Sequence, residues 1–419
     1  MATFRDGAEL LLPEGSRVLH IGPHKTGTTS LQSAFHLCRE AVTAQGVHYV
    51  GKGRHPMSAV LAAIGLASPT SDAKAPPPLR RWEEALEEMA TATEPRIVLS
   101  SEFFADAKNA AIRSVVDQVG PEQVQVVVTL RPLAKILPSQ WQQTVQSSSV
   151  TPFDEWLTTF FDDPKRLARF WRRHRHDELV ARWASVVGPE RVTAVVVDDS
   201  DHDSVLRSFE HLLGLVPGTL VADSSLVNRS LTLGESEAVR AYNIAFWADQ
   251  LPRSLHARLI RSGAAHYLQE RRPERGEDKV LMPQWALDRA AEVSDGIIEG
   301  LLAQDITITG DLELLRKQPV SRESVGQSGP ATVSPEVAAR LAMGITVAGG
   351  LVPPSVEEAA RQVQAAKEAQ ARRAAVARQA KAKAEQARLA ALSPPRRLAV
   401  RALGYVSRRA RRAADRLKG

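Results

Sequence analysis

His20-Ile-Gly-Pro-His-Lys-Thr-Gly-Thr-Thr-Ser-Leu-Gln32 joins an apolar, β-branched run to a segment with helical spacing. The run Arg17-Val-Leu-His-Ile predicts a buried strand, and the residues from Thr28 onward predict an amphipathic helix. Backbone N–H groups at the start of a helix have no partner within the helix, and the helix dipole adds partial positive charge there. The sequence therefore predicts an anion-binding loop between a strand and a helix.

The segments on either side repeat this alternation as far as Leu213. Short β-branched runs are separated by longer amphipathic stretches, which is typical of strands connected by crossover helices. The strand candidates are nearly continuous in apolar residues, as strands buried on both faces require, and lie at 17–21, 96–100, 124–130 and 191–197. Helices are expected near 28–45, 79–92, 109–119, 138–146, 168–187, 204–213, 233–249 and 283–303. We therefore expect an α/β fold with a P-loop-type parallel sheet flanked by helices, and with helical C-terminal additions after position 228.

Composition limits the class of protein. The chain has 419 residues, of which 43% are hydrophobic and 24% charged, and no apolar run is long enough to span a bilayer. The N-terminus has early acidic residues and no signal-peptide pattern. The single cysteine, Cys38, excludes an intrachain disulfide framework and any multi-cysteine zinc site. We expect a cytoplasmic protein.

The positive charge is concentrated in a C-terminal tail. The net charge is +6, but from Glu357 onward there are 17 Lys or Arg against 5 Asp or Glu. We expect a main domain at 15–315, a linker with a short helix at 316–355 and a basic Ala/Arg-rich helical tail at 356–419. The tail could lie peripherally on an anionic membrane, pair with another helix, bind nucleic acid without sequence specificity, or be a solvated helix.

The order of residues in the anion-binding loop separates two classes of enzyme. A nucleotide triphosphatase loop places its lysine after the second glycine, whereas Lys25 here precedes Gly27. This Lys-Thr-Gly-Thr-Thr order resembles that of the sulfotransferases that use 3′-phosphoadenosine 5′-phosphosulfate (PAPS), especially bacterial members and the heparan-sulfate-type branch. The resemblance covers about residues 15–310 and implies PAPS as the sulfuryl donor, without a metal. The implied donor-binding residues of the loop are Lys25, Thr26, Gly27, Thr28, Thr29 and Ser30. We expect the four hydroxylated ones to offer their hydroxyl groups to the anion. The alternative is a Gly/Thr-rich turn that only connects a strand to a helix.

A second candidate phosphate site follows another predicted strand. In Thr129-Leu-Arg-Pro-Leu-Ala-Lys-Ile-Leu-Pro-Ser139, Arg131 ends the strand and Ser139 comes eight residues later. Pro138 suits the first turn of a helix, so we expect free N–H groups and a hydroxyl to converge at Ser139. Carboxyl ends of neighbouring parallel strands open on the same edge, so the two sites could hold opposite ends of one nucleotide. The resemblance implies that Arg131 and Ser139 bind the 3′-phosphate, although the family often has an acidic residue where this chain has Pro132. The alternative role of Arg131 is a surface ion pair.

Transfer of a sulfuryl group to a hydroxyl or amine needs a proton acceptor. Glu102 is the first candidate, because it follows the strand at 96–100 and precedes two phenylalanines that would exclude water and raise its pKa. His24 and His55 are rivals, and a helix-capping carboxylate is the alternative role of Glu102. Lys25 would stabilise the charge that develops on the leaving group.

Three hypotheses follow. The first is a PAPS-dependent sulfotransferase acting on a carbohydrate or small metabolite. The second is an ATP-dependent small-molecule kinase, in which Asp198 or Asp199 would hold Mg²⁺. The third is a catalytically inactive nucleotide-binding adaptor. Further along, Asn228 and Arg229 could reach a ligand or cap a loop, and Trp141 and Gln142 could line an acceptor cleft or belong to the core.

Overall fold

A computed structural model of the chain describes residues 1–69, 75–223, 229–326 and 332–350, with two isolated positions at 370 and 378. The basic tail predicted at 356–419 and Asn228 lie outside the described residues, apart from those two positions. The described part is an α/β fold: a parallel sheet flanked by helices, followed by helical additions. The expected fold class is confirmed. Within the described part, no helix combines the length and apolarity needed to cross a membrane.

The sheet has seven strands in the order β1-β7-β6-β5-β2-β4-β3, and all described strand pairs are parallel. The strands are β1 Thr3–Phe4, β2 Ser16–His20, β3 Val47–Tyr49, β4 Arg96–Ser100, β5 Val124–Leu130, β6 Val192–Val196 and β7 Thr307–Thr309. The four predicted strands are β2, β4, β5 and β6. Helices dominate after position 228, as expected, but a short strand that was not predicted, β7, lies there too and completes the sheet between β1 and β6.

Helices cover both faces of the sheet and build the C-terminal part. They are α1 Thr28–Leu37, α2 Arg39–Thr43, α3 Met57–Ala63, α4 Arg80–Thr91, α5 Asn109–Val119, α6 Leu133–Gln146, α7 Phe153–Asp162, α8 Ala168–His174, α9 His176–Val187, α10 Ser204–Leu213, α11 Leu233–Ala248, α12 Arg253–His256, α13 Ala265–Glu270, α14 Gln284–Leu302 and α15 Pro335–Ala348. A π-helical segment, Ala257–Ala264, connects α12 to α13.

Alternate residues of the central strands belong to two different hydrophobic clusters. Leu19 and Leu99 lie in one cluster, whereas Val18 and Val98 lie in the other. Both faces of the sheet are therefore buried, as the continuous apolar runs predicted.

The strand order places a crevice between β2 and β5. After β2 the chain moves toward β3 at one edge, whereas after β5 it moves toward β6 on the other side. Such a reversal leaves an opening beyond the carboxyl ends of the two strands, where open α/β sheets bind ligands. The loop with Lys25 follows β2 and Arg131 follows β5, so both candidate anion sites flank this opening.

Two glycines allow α15 to cross the π-helical segment at close range. A Cβ atom added to Gly263 would lie 2.5 Å from the carbonyl oxygen of Gly344, and one added to Gly344 would lie 2.6 Å from Cα of Ala264. Both distances are too short for any side chain. The last described helix thus packs directly on the backbone that carries Arg261.

Candidate active site

The loop between β2 and α1 has a backbone that favours anion binding. Gly27 adopts a left-handed conformation with φ of 88° and precedes the first residue of α1, Thr28. Lys25 also has positive φ, 69°, and its carbonyl oxygen accepts a hydrogen bond from Nη1 of Arg131 at 3.0 Å. The free N–H groups of the helix start therefore lie beside two cationic side chains.

A buried polar network fixes this loop to the sheet. The ring of His20 contacts Oγ of Ser100 at 2.8 Å and Oγ1 of Thr129 at 3.3 Å. Thr129 Oγ1 in turn lies 2.6 Å from Oγ1 of Thr26, which donates to the Pro23 carbonyl at 2.7 Å. Burial lowers the pKa of His20 to about 3, so its ring is neutral and holds the loop by hydrogen bonds alone.

This network corrects the prediction for two loop hydroxyls. We expected Thr26 and Thr28 to offer their hydroxyl groups to an anion. Thr26 is fully buried, and both hydroxyls donate to the Pro23 carbonyl, at 2.7 and 3.2 Å. These two residues could therefore contribute to anion binding through their backbone and not through their hydroxyl groups.

The predicted donor-site residues, except Thr26, line one cavity of about 410 Å³, and Glu102 lines it too. Its walls are mainly polar and come from the loop, from α6 and from the segment after position 229. The remaining lining residues are His24, Gln142, Gln143, Gln146, Ser147, Arg229, Ser230, Arg261 and Gln269. The structure thus brings the two candidate anion sites and the candidate base together.

Lys25 is the cation at the centre of the loop. Its side chain reaches solvent in the cavity, yet the protein around it removes part of its hydration. This desolvation, together with the positive charges of Arg131 and Arg261, lowers the pKa of Lys25 despite the opposing charge of Glu102. A bound anion would relieve the repulsion among these cations, which favours binding of a highly charged ligand.

Arg131 and Ser139 face the cavity from β5 and α6. Nε of Arg131 lies 2.9 Å from Oδ1 of Asp199, close enough for an ion pair. The geometry does not make this contact a hydrogen bond. The predicted helix start at Pro138 was wrong, because α6 begins at Leu133 and includes Pro138 in its interior. Ser139 therefore lies inside the helix and not at its start, and its hydroxyl donates to the Ile136 carbonyl at 2.9 Å.

Glu102 follows β4 and begins a 3₁₀ turn, Glu102–Asp106. Its Oε2 lies 3.1 Å from Nε2 of His55 and accepts a hydrogen bond from Nε2 of Gln32 at 3.2 Å. The backbone of Glu102 can lie this close to the loop only because residue 22 is glycine. A Cβ atom at Gly22 would lie 2.7 Å from Cα of Glu102. The carboxylate is thereby fixed at the edge of the cavity.

The expected rise in the pKa of Glu102 was wrong. Burial alone would raise it, but the interaction with His55, whose Nε2 lies 3.1 Å from Oε2, outweighs burial and lowers the pKa to about 2. The carboxylate is therefore ionised at neutral pH and able to accept a proton.

His24 lies beside Glu102 in the same wall. Only 7% of its surface is exposed, and its ring packs edge-on against Phe103. Burial and the nearby Arg173 lower its pKa to about 3, so it is neutral. All three candidate bases, Glu102, His24 and His55, thus form one cluster.

Sequence reasoning missed Arg261, Gln143 and Gln269. Arg261 lies on the π-helical segment and reaches the cavity only through the tertiary fold, so no local pattern marks it. Arg229 lines the cavity, but its guanidinium also donates to both carboxylate oxygens of Glu235 at 2.7 Å. Gln142 lines the cavity, whereas its neighbour Trp141 is completely buried in the core, as one of its two alternatives expected.

The two aspartates that a kinase would use lie elsewhere. Asp199 is paired with Arg131, and Oδ1 of Asp198 accepts hydrogen bonds from Ser200. Neither lines the cavity. Within the described ranges, no group of three or more His, Cys, Asp or Glu side chains is arranged to hold a metal ion.

No family model matches the sequence, and no curated protein matches it. Among solved structures, the chain is similar to the crystal structure of a sulfotransferase from Alicyclobacillus acidocaldarius, with 16% sequence identity and a TM-score of 0.35. The match covers 57% of this chain and 94% of that one. A likeness of this extent assigns no role to any residue here.

Proposed function

We propose that this protein is a PAPS-dependent sulfotransferase that acts on a hydroxyl or amine of a carbohydrate or small metabolite. One observation carries the proposal: a single cavity at the reversal of strand order contains Lys25 and the loop on one side, Arg131 with Ser139 on the other, and Glu102 at its edge. This combination suits a nucleotide with anionic groups at both ends and a reacting group between them.

The charge of the cavity fits such a ligand. Lys25, Arg131, Arg229 and Arg261 line it, whereas Glu102 supplies the one carboxylate among the described lining residues. Arg131 is partly neutralised by Asp199, and Arg229 by Glu235, so Lys25 and Arg261 are the least compensated cations. Excess positive charge in a concave site raises the local concentration of anions.

In the proposed reaction, Glu102 acts as the base, and Lys25 and the start of α1 stabilise the leaving group. The donor supplies a sulfuryl group bonded to a phosphate oxygen. The carboxylate of Glu102 takes the proton of the acceptor hydroxyl or amine as that atom bonds to sulfur. The bond from sulfur to the phosphate oxygen breaks, and 3′,5′-adenosine bisphosphate leaves with the bonding electrons. Lys25 and the N–H groups at the start of α1 stabilise the negative charge on the leaving oxygen. The proton on Glu102 then returns to solvent.

The kinase hypothesis has less support because its metal-binding aspartate is paired with Arg131. The hypothesis of an inactive adaptor has less support because Lys25 and Glu102 line one cavity. Cytoplasmic location and a role for the basic tail at a membrane surface or another helix belong to the same proposal, as extensions of the sequence prediction.

The test is a thermal-shift comparison of 3′,5′-adenosine bisphosphate with ATP plus Mg²⁺. A ligand at a hundredfold excess over its Kd adds about 2.7 kcal/mol to the free energy of unfolding. We expect the bisphosphate alone to raise Tm, and Lys25→Ala and Arg131→Ala to abolish the rise. Arg113→Ala, an exposed arginine on α5 away from the cavity, is the matched control. Stabilisation by ATP with Mg²⁺ alone would favour the kinase, and no shift with either ligand would favour the adaptor.

A further inference from the structure

A second cavity, of about 610 Å³, shares a wall with the first. The residues common to both linings are His24, Glu102, Gln143, Ser147 and Arg261. The candidate base therefore borders both cavities. If the first cavity holds the sulfuryl donor, the second is placed where an acceptor atom can reach both Glu102 and the donor. This assignment rests on the proposed function.

The second cavity is strongly cationic. Among the residues that the structure describes, four arginines and one carboxylate, Glu102, line it. Arg169 and Arg173 both bind the buried carboxylate of Asp106, whose pKa they lower to about 2 against the opposing effect of burial. The other two arginines, Arg253 and Arg261, make no ion pair with any residue that the structure describes.

A second observation, which does not depend on charge, is that the lining of the second cavity contains buried polar atoms without hydrogen-bond partners. These are Nδ1 of His24 and Nε2 of Gln140, in side chains that are 7% and 1% exposed, and Oε1 of Gln143. Among the described residues, none supplies the missing partner. Buried donors and acceptors are costly when unpaired, so such atoms indicate a ligand with its own donors and acceptors. Thr144 and Ser147 add hydroxyl groups to the same lining.

We propose that the second cavity binds a small, polyhydroxylated acceptor that carries an oxyanion, such as a carboxylate, phosphate or sulfate. Arg253 and Arg261 hold the oxyanion, and the amides of Gln140 and Gln143 hold hydroxyl groups. The acceptor atom then lies at the shared wall beside Glu102. A neutral, apolar acceptor would leave both the arginines and the amide groups unsatisfied.

The probes are methyl glucuronide, glucose 6-phosphate and the neutral methyl glucoside. Binding is measured by calorimetry with saturating 3′,5′-adenosine bisphosphate, which occupies the first cavity, and sulfuryl transfer is measured with radiolabelled PAPS. We expect at least one anionic probe to bind about tenfold or more tightly than the neutral one. This preference should weaken as salt concentration rises. Comparison of the two anionic probes separates carboxylate from phosphate recognition.

The decisive variant is Arg253→Gln, because Arg253 lines the second cavity but not the first. We expect it to remove the preference for the anionic probe and to leave the binding of bisphosphate unchanged. Arg258→Gln is the matched control, since Arg258 is an exposed arginine of the same helical region and lines neither cavity. Should Arg253→Gln fold poorly, Arg253→Lys, which retains the charge, serves as the second variant and should keep most of the preference.

Two failures are distinguishable. If bisphosphate binds but the anionic and neutral probes bind equally, or if Arg253→Gln and Arg258→Gln behave alike, this inference is overturned and the proposed function stands. If bisphosphate does not bind, the proposed function falls. The same calorimetry without bisphosphate then decides whether the cavity selects oxyanions through Arg253.

Discussion

Nε2 of His55 lies 3.1 Å from Oε2 of Glu102, and this contact favours the ionised form of a half-buried carboxylate. Glu102 follows a strand of the central sheet, whereas His55 lies in the segment between β3 and α3. The pair thus connects the segment after β4 to a loop that lines the second cavity. We expect it to control both the protonation and the position of the base.

Glu102→Gln should separate catalysis from binding. The amide has nearly the same shape but accepts no proton, so we expect kcat to fall by about 10²- to 10⁴-fold. The Tm rise caused by 3′,5′-adenosine bisphosphate should persist, because Lys25 and Arg131 are unchanged. Steady-state kinetics and thermal shift on the same preparation test both statements. Activity within a few fold of wild type would remove Glu102 from the mechanism and favour His24.

His55→Ala should change the pH dependence. Without His55, burial acts on Glu102 with less opposition, so its pKa rises from about 2. The stabilisation that comes from the lowered pKa is complete above the ordinary glutamate value of 4.5 and is lost as pH falls through about 2. In the variant, the acid limbs of kcat/KM and of stability should both move to higher pH.

His48→Ala is the control for this measurement, because His48 pairs with Glu88 and lines neither cavity. Its pH profiles should match those of the wild type. An unchanged acid limb in His55→Ala would show that the contact with His55 does not set the protonation of Glu102.

Gly22→Ala should displace Glu102. The new methyl group would lie 2.7 Å from Cα and 2.8 Å from Cβ of Glu102, and the backbone has φ of 78°. We expect a loss of about 1–3 kcal/mol in stability from the close contact, with a large loss of kcat. Gly15→Ala, with φ of 83° and nothing within 4 Å, isolates the backbone strain alone. Equal destabilisation in both variants would contradict the close contact.

Asp199→Asn tests the sulfotransferase hypothesis against the kinase hypothesis. The change removes the negative charge 2.9 Å from Nε of Arg131. We expect bisphosphate to bind as tightly or more tightly, because Arg131 keeps its full charge for a phosphate group. If Asp199 instead held Mg²⁺ for a kinase, the variant would lose stabilisation by ATP with Mg²⁺. Thermal-shift titrations with each ligand decide between the two.

The four longer strands of the sheet were predictable, and the short strands of two or three residues were not. β2, β4, β5 and β6 are buried on both faces, so their sequences are continuous apolar runs. β3 and β7 have three residues each, too few for any periodicity to appear. The start of α6 was misplaced because Pro138 is usual in a first turn but here lies inside the helix.

The part of the candidate site that lies in the segments after the strands was predictable from the sequence. Lys25, Glu102 and Arg131 lie within five residues of the ends of β2, β4 and β5, and parallel strands bring those ends to one edge. The inward direction of the Thr26 hydroxyl depends on Thr129 in a neighbouring strand, which a local pattern does not contain. Arg261 similarly depends on packing between distant helices.

The close packing of α15 on the π-helical segment, at Gly344 and Gly263, determines which C-terminal truncations keep this contact. A protein that ends before Pro335 would lose the helix on which the backbone beside Arg261 rests, so its acceptor specificity would change together with its stability. A protein that ends after Gly350 would keep that support and lack only the basic tail. Comparing the two lengths therefore separates any effect of removing the tail from the effect of removing α15.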